Sequence, residues 1–412
     1  MRRALLIFCL SLNSVWASAQ TPLSPPTDEA RLNAHAHVGP FYITPALQLK
    51  ELGVDTNVFN QDGRQKSDFM FNLSPKADVM VALARRALIT TTVATDLVWY
   101  KEYASERSVD PQALVRGELY MARLTLFAQD EYLNTRQRMN YEVDLRSRHV
   151  ENNLEAGGEY RLTPKLSFSL SGTRANVRFD ADAIYLGTSL QETLNRDTTG
   201  FAAAIKHKLT PLTTLSVKGE RFTDEFPFSP GRDTDSFRVM PGIEFKPKAL
   251  VNGFAFVGYR KFTPQEATVL PEFTGLVANL GLSYTLLGAT TFGVSYVRDV
   301  NYSYEELQPY YVSNAAGVSV REALGPKFDL LASADRAVYA YRNLQVGVPV
   351  AGQAPLDARE DTTWIYAGSL GYLPGKKTRV GFGASYWKRE STTRAFRDYD
   401  GLRFGMSVTY GF

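Results

Sequence analysis

The chain has 412 residues, with 46 Lys and Arg against 43 Asp and Glu and a single cysteine. That balance offers no basic field for nucleic acid, and one thiol at Cys9 excludes disulfides and iron–sulfur clusters within the chain. No run of about eighteen apolar residues occurs, which excludes a helical membrane protein.

The N-terminus reads as a signal peptide. Met1, Arg2 and Arg3 form a basic start, residues 4–12 are an apolar run, and Ala17-Ser18-Ala19 is a small-x-small cleavage site before Gln20. Cys9 lies in that run after Phe8 and leaves with it. Residues 20–38, with Pro22, Pro25 and Pro26, form a short periplasmic tail. Residues 39–412 follow as one domain.

That domain alternates with a period of two, the mark of strands with one apolar and one polar face. Leu166, Phe168 and Leu170 alternate with Ser167, Ser169 and Ser171. Leu215 and Val217 alternate with Ser216, Lys218 and Glu220, and Val380, Phe382 and Tyr386 with Arg379, Gly381 and Ser385. Strands are predicted near 40–50, 67–83, 87–102, 113–127, 131–144, 148–161, 165–178, 194–208 and 213–224. They continue near 234–246, 250–262, 272–285, 290–299, 310–323, 328–341, 361–373, 377–389 and 399–412. The count is about eighteen, with sixteen as the fallback if 127–161 divides differently.

Short Pro- or Gly-bearing turns take turns with longer polar connections near 180–195, 224–233, 263–272, 299–308, 342–361 and 390–398. Short periplasmic turns and long outer loops define an all-β, transmembrane, antiparallel up-and-down barrel of the outer membrane of a Gram-negative bacterium. The last strand fits. Leu402, Phe404, Met406, Val408, Tyr410 and Phe412 form an apolar set, and Arg403, Gly405, Ser407, Thr409 and Gly411 a polar or small one. An aromatic end of this kind resembles the assembly signal read by the barrel-assembly machinery. Its small inward set points to a polar, uncrowded lumen.

By strand parity, Lys206, Lys218, Glu220, Arg238, Glu244, Arg321, Arg379 and Arg403 face that lumen, as does Trp387. Such charges line a path for solute or pair into structural ladders. Trp99 and Trp364 belong near a rim. The histidines are His35, His37, His149 and His207, and only His35 and His37 are close in sequence. No metal, nucleotide or hydrolase motif accompanies them. No catalytic residue, metal or cofactor is assigned, and lipid and lipopolysaccharide are the expected surroundings.

After the first strand the chain reads Gly53-Val54-Asp55-Thr56-Asn57-Val58-Phe59, then Lys66-Ser67-Asp68-Phe69. A strand with Leu73-Ser74-Pro75 follows and leads to a tight turn at Arg85-Arg86. Later the chain reads Tyr160-Arg161-Leu162-Thr163-Pro164. This succession resembles the putative beta-barrel porin 2 family, with Asp55, Asn57 and Phe59 as the family-like loop motif. The resemblance implies an exopolysaccharide conduit that works with a periplasmic polysaccharide-export protein and carries the polysaccharide as its ligand. The alternatives are a general diffusion porin for small polar solutes and an outer-membrane hydrolase. The porin predicts a long loop folded inward, for which 342–361 is the candidate.

Overall fold

The computed structural model describes residues 36–83, 86–247, 249–266, 270–344, 358–375 and 377–411. The leader, most of the tail, His35, Arg85, residues 345–357 and Phe412 lie outside the described residues.

The barrel strands are β1 (Phe41–Asp55), β2 (Asp68–Leu83), β3 (Ala87–Tyr100), β4 (Ser108–Tyr120), β5 (Leu124–Thr135) and β6 (His149–Arg161). Next come β7 (Leu166–Phe179), β8 (Arg196–Thr210), β9 (Thr213–Glu225), β10 (Thr234–Phe245), β11 (Val251–Pro264) and β12 (Phe273–Leu286). Last are β13 (Thr290–Tyr302), β14 (Tyr310–Leu324), β15 (Phe328–Arg342), β16 (Glu360–Gly375), β17 (Thr378–Ser391) and β18 (Tyr399–Gly411). Each pairs antiparallel with the next, and β18 pairs with β1 from Ala46 opposite Gly411 to Asp55 opposite Arg403. Closure leaves no edge, so every wall strand has a neighbour on both sides. Ala36–Val38 folds back as a short strand on the start of β1.

The period-two pattern decides which side faces lipid. Phe201, Val217, Phe237, Leu370 and Phe382 are exposed on the outer wall, while Ser167, Ser216, Glu220 and Asp329 are buried on the inner one. An outer apolar band and a polar interior are the arrangement a bilayer requires. Short turns join β2 to β3, β4 to β5 and so on. The odd-to-even connections are longer and form the outer loops.

Two strand positions differ from expectation. The strands expected at 113–127 and 131–144 are Ser108–Tyr120 and Leu124–Thr135, and 136–148 is a loop. The turn at 121–123 carries neither Gly nor Pro, so nothing in its composition marks it. Tyr141, Val143 and Leu145 alternate with Glu142, Asp144 and Arg146, so the loop imitates a strand.

The wall is uneven at one seam. Pairing between β12 and β13 stops at Ala278 opposite Arg298, whereas β13 and β14 stay paired up to Tyr302 opposite Tyr310. The Tyr302 hydroxyl donates to Asp224 Oδ2 of β9 at 2.7 Å. Val300, Tyr310 and Val312 pack against Met240, Phe262 and Val277. The top of this hairpin therefore leans into the lumen and buries an apolar face against the inner wall of β10–β12.

Candidate pore constriction

The loop at 136–148 is the element that shapes the lumen. It leaves the wall between β5 and β6, nine strands from β14 and β15 in an eighteen-strand barrel, and so starts diametrically opposite them. Yet Tyr141 packs on the cluster of Tyr311, Ala315, Ala337, Tyr339 and Tyr341 from those two strands. Val143 packs with Val177, Phe179, Leu190 and Leu194 on the near side. Leu190 and Leu194 belong to α1 (Leu190–Leu194), a single turn in the outer loop after β7. Only a loop that crosses the bore can make both contacts. The loop buries Val143 from the apolar face that imitated a strand, and Glu142 and Asp144 from the acidic one.

Polar contacts hold the loop in place. The Arg389 guanidinium on β17 donates to Asp144 Oδ2 at 2.5 Å and also to the Tyr141 carbonyl. Tyr399 Oη on β18 donates to Asp144 Oδ1 at 2.7 Å. Arg397, in the last outer loop, donates to the Glu142 carbonyl at 2.5 Å, and Ser303 Oγ donates to Glu142 Oε1 at 2.9 Å. Arg138 reaches the first outer loop and donates to the Val58 carbonyl at 2.7 Å. Asp144 and Arg389 are both buried, so without Arg389 the Asp144 carboxylate would lose its charged partner, whereas Arg389 would keep Asp361.

The neighbouring charges form one network. Asp361 pairs with both Arg389 and Arg359 at 2.5 Å, and Arg359 reaches Glu305 Oε1 at 3.1 Å. Burial pushes the Glu142 carboxyl up to about 7, against the pull of Arg397 and Arg359. Burial acts on Glu305 in the same sense, but the Tyr304 hydroxyl and the Arg394 and Arg359 guanidiniums outweigh it and hold its carboxyl below the usual range.

Below the loop, the residues assigned to the lumen by parity lie on the inner wall, and most are paired. Lys206 meets Glu159 at 3.0 Å, and Lys218 meets Glu220 at 2.7 Å. Arg238 bonds Glu220 and also reaches Asp299 at 3.0 Å, and Arg260 reaches Asp299 at 2.6 Å. Arg321 and Arg379 share Asp329 at 2.7 and 2.8 Å. Arg403 bonds Asp55 at 2.6 Å. Glu244 is half-buried on β10. Trp387 Nε1 donates to Asn60 Oδ1 at 3.1 Å, which ties β17 to the first outer loop. Trp99 and Trp364 lie on the outer face near the loop end, with Arg107 and Arg336 over their rings.

The Asp55–Phe59 motif seals the closing seam. Asp55 Oδ1 accepts from the Asn57 amide at 3.0 Å, and Asn57 Nδ2 donates to the Asp400 carbonyl of β18 at 2.7 Å. Phe59 packs edge-on against Tyr103. Among the assembly-signal residues, Leu402, Phe404, Met406 and Tyr410 are exposed on the outer wall and Val408 is half-buried. His149 is buried, with Nδ1 3.0 Å from the Ser147 carbonyl and Nε2 3.4 Å from Glu151. His207 is exposed on the outer face of β8, and His37 stacks near Tyr42. These histidines do not converge. Among the described residues no cluster of three or more His, Cys, Asp or Glu could hold a metal.

A closed eighteen-strand barrel with an apolar outer band, a charged inner wall and an outer loop folded across its bore is a porin-like barrel of the outer membrane. The chain belongs to the putative beta-barrel porin 2 family, whose match spans residues 35–412. No curated protein matches it. Among solved structures it is similar to OpdO of Pseudomonas aeruginosa, at 10% identity over 90% of this chain and 97% of that one, with a TM-score of 0.49. It is also similar to OccAB3 of Acinetobacter baumannii, at 10% identity over 90% and 99% of the two chains, with a TM-score of 0.48. A BenF-like porin of Pseudomonas fluorescens Pf-5 shares 9% identity over 90% and 98%, with a TM-score of 0.48.

The expectation of an exopolysaccharide conduit is therefore corrected. It needs a wide unplugged bore, whereas the family is one of porins and the loop at 136–148 crosses the bore. An inward loop of the kind predicted for a porin is present at 136–148, and most of the candidate at 342–361 lies outside the described residues.

Proposed function

We propose that the protein is a passive, non-enzymatic pore for small polar solutes, narrowed at its outer mouth by the loop at 136–148. The observation that carries this is the loop's span from one wall to Tyr311, Tyr339 and Arg389 on the other. Beneath it, the inner wall offers hydroxyls, carboxylates and guanidiniums to water and solute, with most charges already compensated. Solute passes the loop by size and polarity, and no partner protein is needed to open the path.

Purified protein in planar bilayers tests this directly. Open ion conductance without any partner is expected, and excision of residues 139–145 should raise the single-channel conductance several-fold. A barrel that stays silent in both forms would overturn the reading. Two further parts of the proposal concern delivery. Residues 1–19 are removed before Gln20, which N-terminal sequencing of the membrane-extracted protein would show. The apolar set ending in Phe412 addresses the chain to the assembly machinery. Phe412→Ser should then leave unassembled protein in the periplasm.

A further inference from the structure

The outer wall carries a feature that the pore does not use. The odd-numbered strands run from the short-turn end towards the outer loops. Six in succession, β7 to β17, each place a cation on the outer face eight or ten residues into the strand, beyond an apolar stretch. These are Arg174, Arg221, Lys261, Arg298, Arg336 and Lys388. Arg174, Arg221, Arg298 and Arg336 each lie eight residues beyond the first residue of their strands, Leu166, Thr213, Thr290 and Phe328. Lys261 and Lys388 lie ten beyond Val251 and Thr378. At about 3.3 Å per residue and a tilt of roughly 40°, all six stand about 20–25 Å above the short turns. That is the outer boundary of an apolar band about 25 Å tall. The outward residues beneath them are greasy, for instance Leu215 and Val217 under Arg221 and Phe328 and Leu330 under Arg336.

Few of these cations are neutralised. Arg221 lies 3.7 Å from Asp235, and Lys388 2.5 Å from Glu390. Among the described residues, Arg174, Lys261, Arg298 and Arg336 have no acidic partner. The collar also carries aromatic rings. Phe237 stands opposite both Arg221 and Lys261, and Trp364 opposite both Arg336 and Lys388. Arg336 and Lys388 lie 5.8 and 5.9 Å from the Trp364 ring. A surface groove of about 300 Å³ runs between Arg221 and Lys261, and one of about 190 Å³ beside Trp364 and Lys388. The collar is one-sided. At the same height β3 and β5 carry Thr95, Leu97 and Tyr132 instead.

We infer that this collar is a binding site for the phosphate-bearing headgroups of outer-leaflet glycolipid, the chemistry of lipopolysaccharide. The inference rests on the membrane orientation of the proposed pore, but not on whether the pore conducts. Unpaired cations at headgroup level attract phosphates electrostatically, in a setting where water screens less than in bulk. The rings between them give the attached acyl and sugar units an apolar and stacking surface. An arginine supplies two parallel donors to one phosphate, and a lysine a point charge to the next.

The test compares the full chain with a triple variant, Arg221→Gln, Lys261→Gln and Arg336→Gln. Both are purified in detergent and offered diphosphorylated lipid A, the same lipid without its phosphates, or inorganic phosphate. Native mass spectrometry counts what stays bound. The wild type should retain the diphosphorylated lipid and lose the dephosphorylated one, and the triple variant should lose at least five-fold in bound lipid. Arg221→Lys with Lys261→Arg and Arg336→Lys should retain it. Equal retention by the triple variant, or equal binding of dephosphorylated lipid, overturns the inference. Binding of inorganic phosphate at the same concentrations as lipid overturns the lipid source, and leaves a site for free anions. Conductance recorded in parallel separates the two proposals. A silent pore that still holds lipid faults only the pore, and a conducting triple variant shows that the barrel has folded.

Discussion

Glu142 makes the crossing loop sensitive to pH. Its carboxyl is raised by burial to about 7, above its ordinary value of 4.5, so the docked loop binds a proton that the free loop releases. Docking is therefore favoured below about 4.5 and weakens as pH rises towards 7. Single-channel conductance should be lower at pH 5 than at pH 8, and Glu142→Gln should flatten the difference. A variant that keeps the wild-type slope would remove Glu142 from the explanation. Asp144 and Arg389 act through charge instead. Breaking one side of a buried pair costs about 3–5 kcal/mol, so Arg389→Ala, which strands the Asp144 carboxylate, should undock the loop and raise conductance at every pH. The inward positions of Trp387, Arg238 and Arg403 were legible in the sequence, because parity alone assigns a strand residue to a face. Glu142 and Asp144 were not, because their loop alternates as a strand does.

At the scale of elements, the closing seam between β1 and β18 is a close backbone contact. A Cβ on Gly53 would meet the Phe404 carbonyl oxygen at 2.0 Å, and one on Gly405 would meet the Leu52 oxygen at 2.5 Å. Both atoms are backbone, so neither can give way cheaply. Gly405→Val should therefore hinder closure, and the protein should lose its heat-modifiable shift on gels run without boiling. Normal migration would show that the seam tolerates bulk. Asp55 and Asn57 stitch the same seam from above through Arg403 and Asp400, which gives the loop motif a structural role. Strand existence was legible nearly throughout, and the positions of β4 and β5 failed where the turn at 121–123 lacks Gly and Pro.

For the whole molecule, the pairing of lumen charges bears on ion selectivity. Arg321 and Arg379 share Asp329, and Lys218, Arg238 and Arg260 share Glu220 and Asp299, so each cluster keeps one positive charge in excess. The pore should show a mild preference for anions in a salt gradient. Asp329→Asn, which strands two arginines, should move the reversal potential towards anions. An unchanged potential would place Asp329 away from the ion path. The barrel, its eighteen strands, its membrane face and its charged interior are readable from the order of residues alone. These follow from a period of two and from turn composition, which are local properties. That 136–148 crosses the bore, that β13 and β14 lean inward and that Asp144 meets Arg389 emerge in the folded barrel. Those contacts join residues up to 255 positions apart in sequence, and no local pattern encodes which wall a loop will reach.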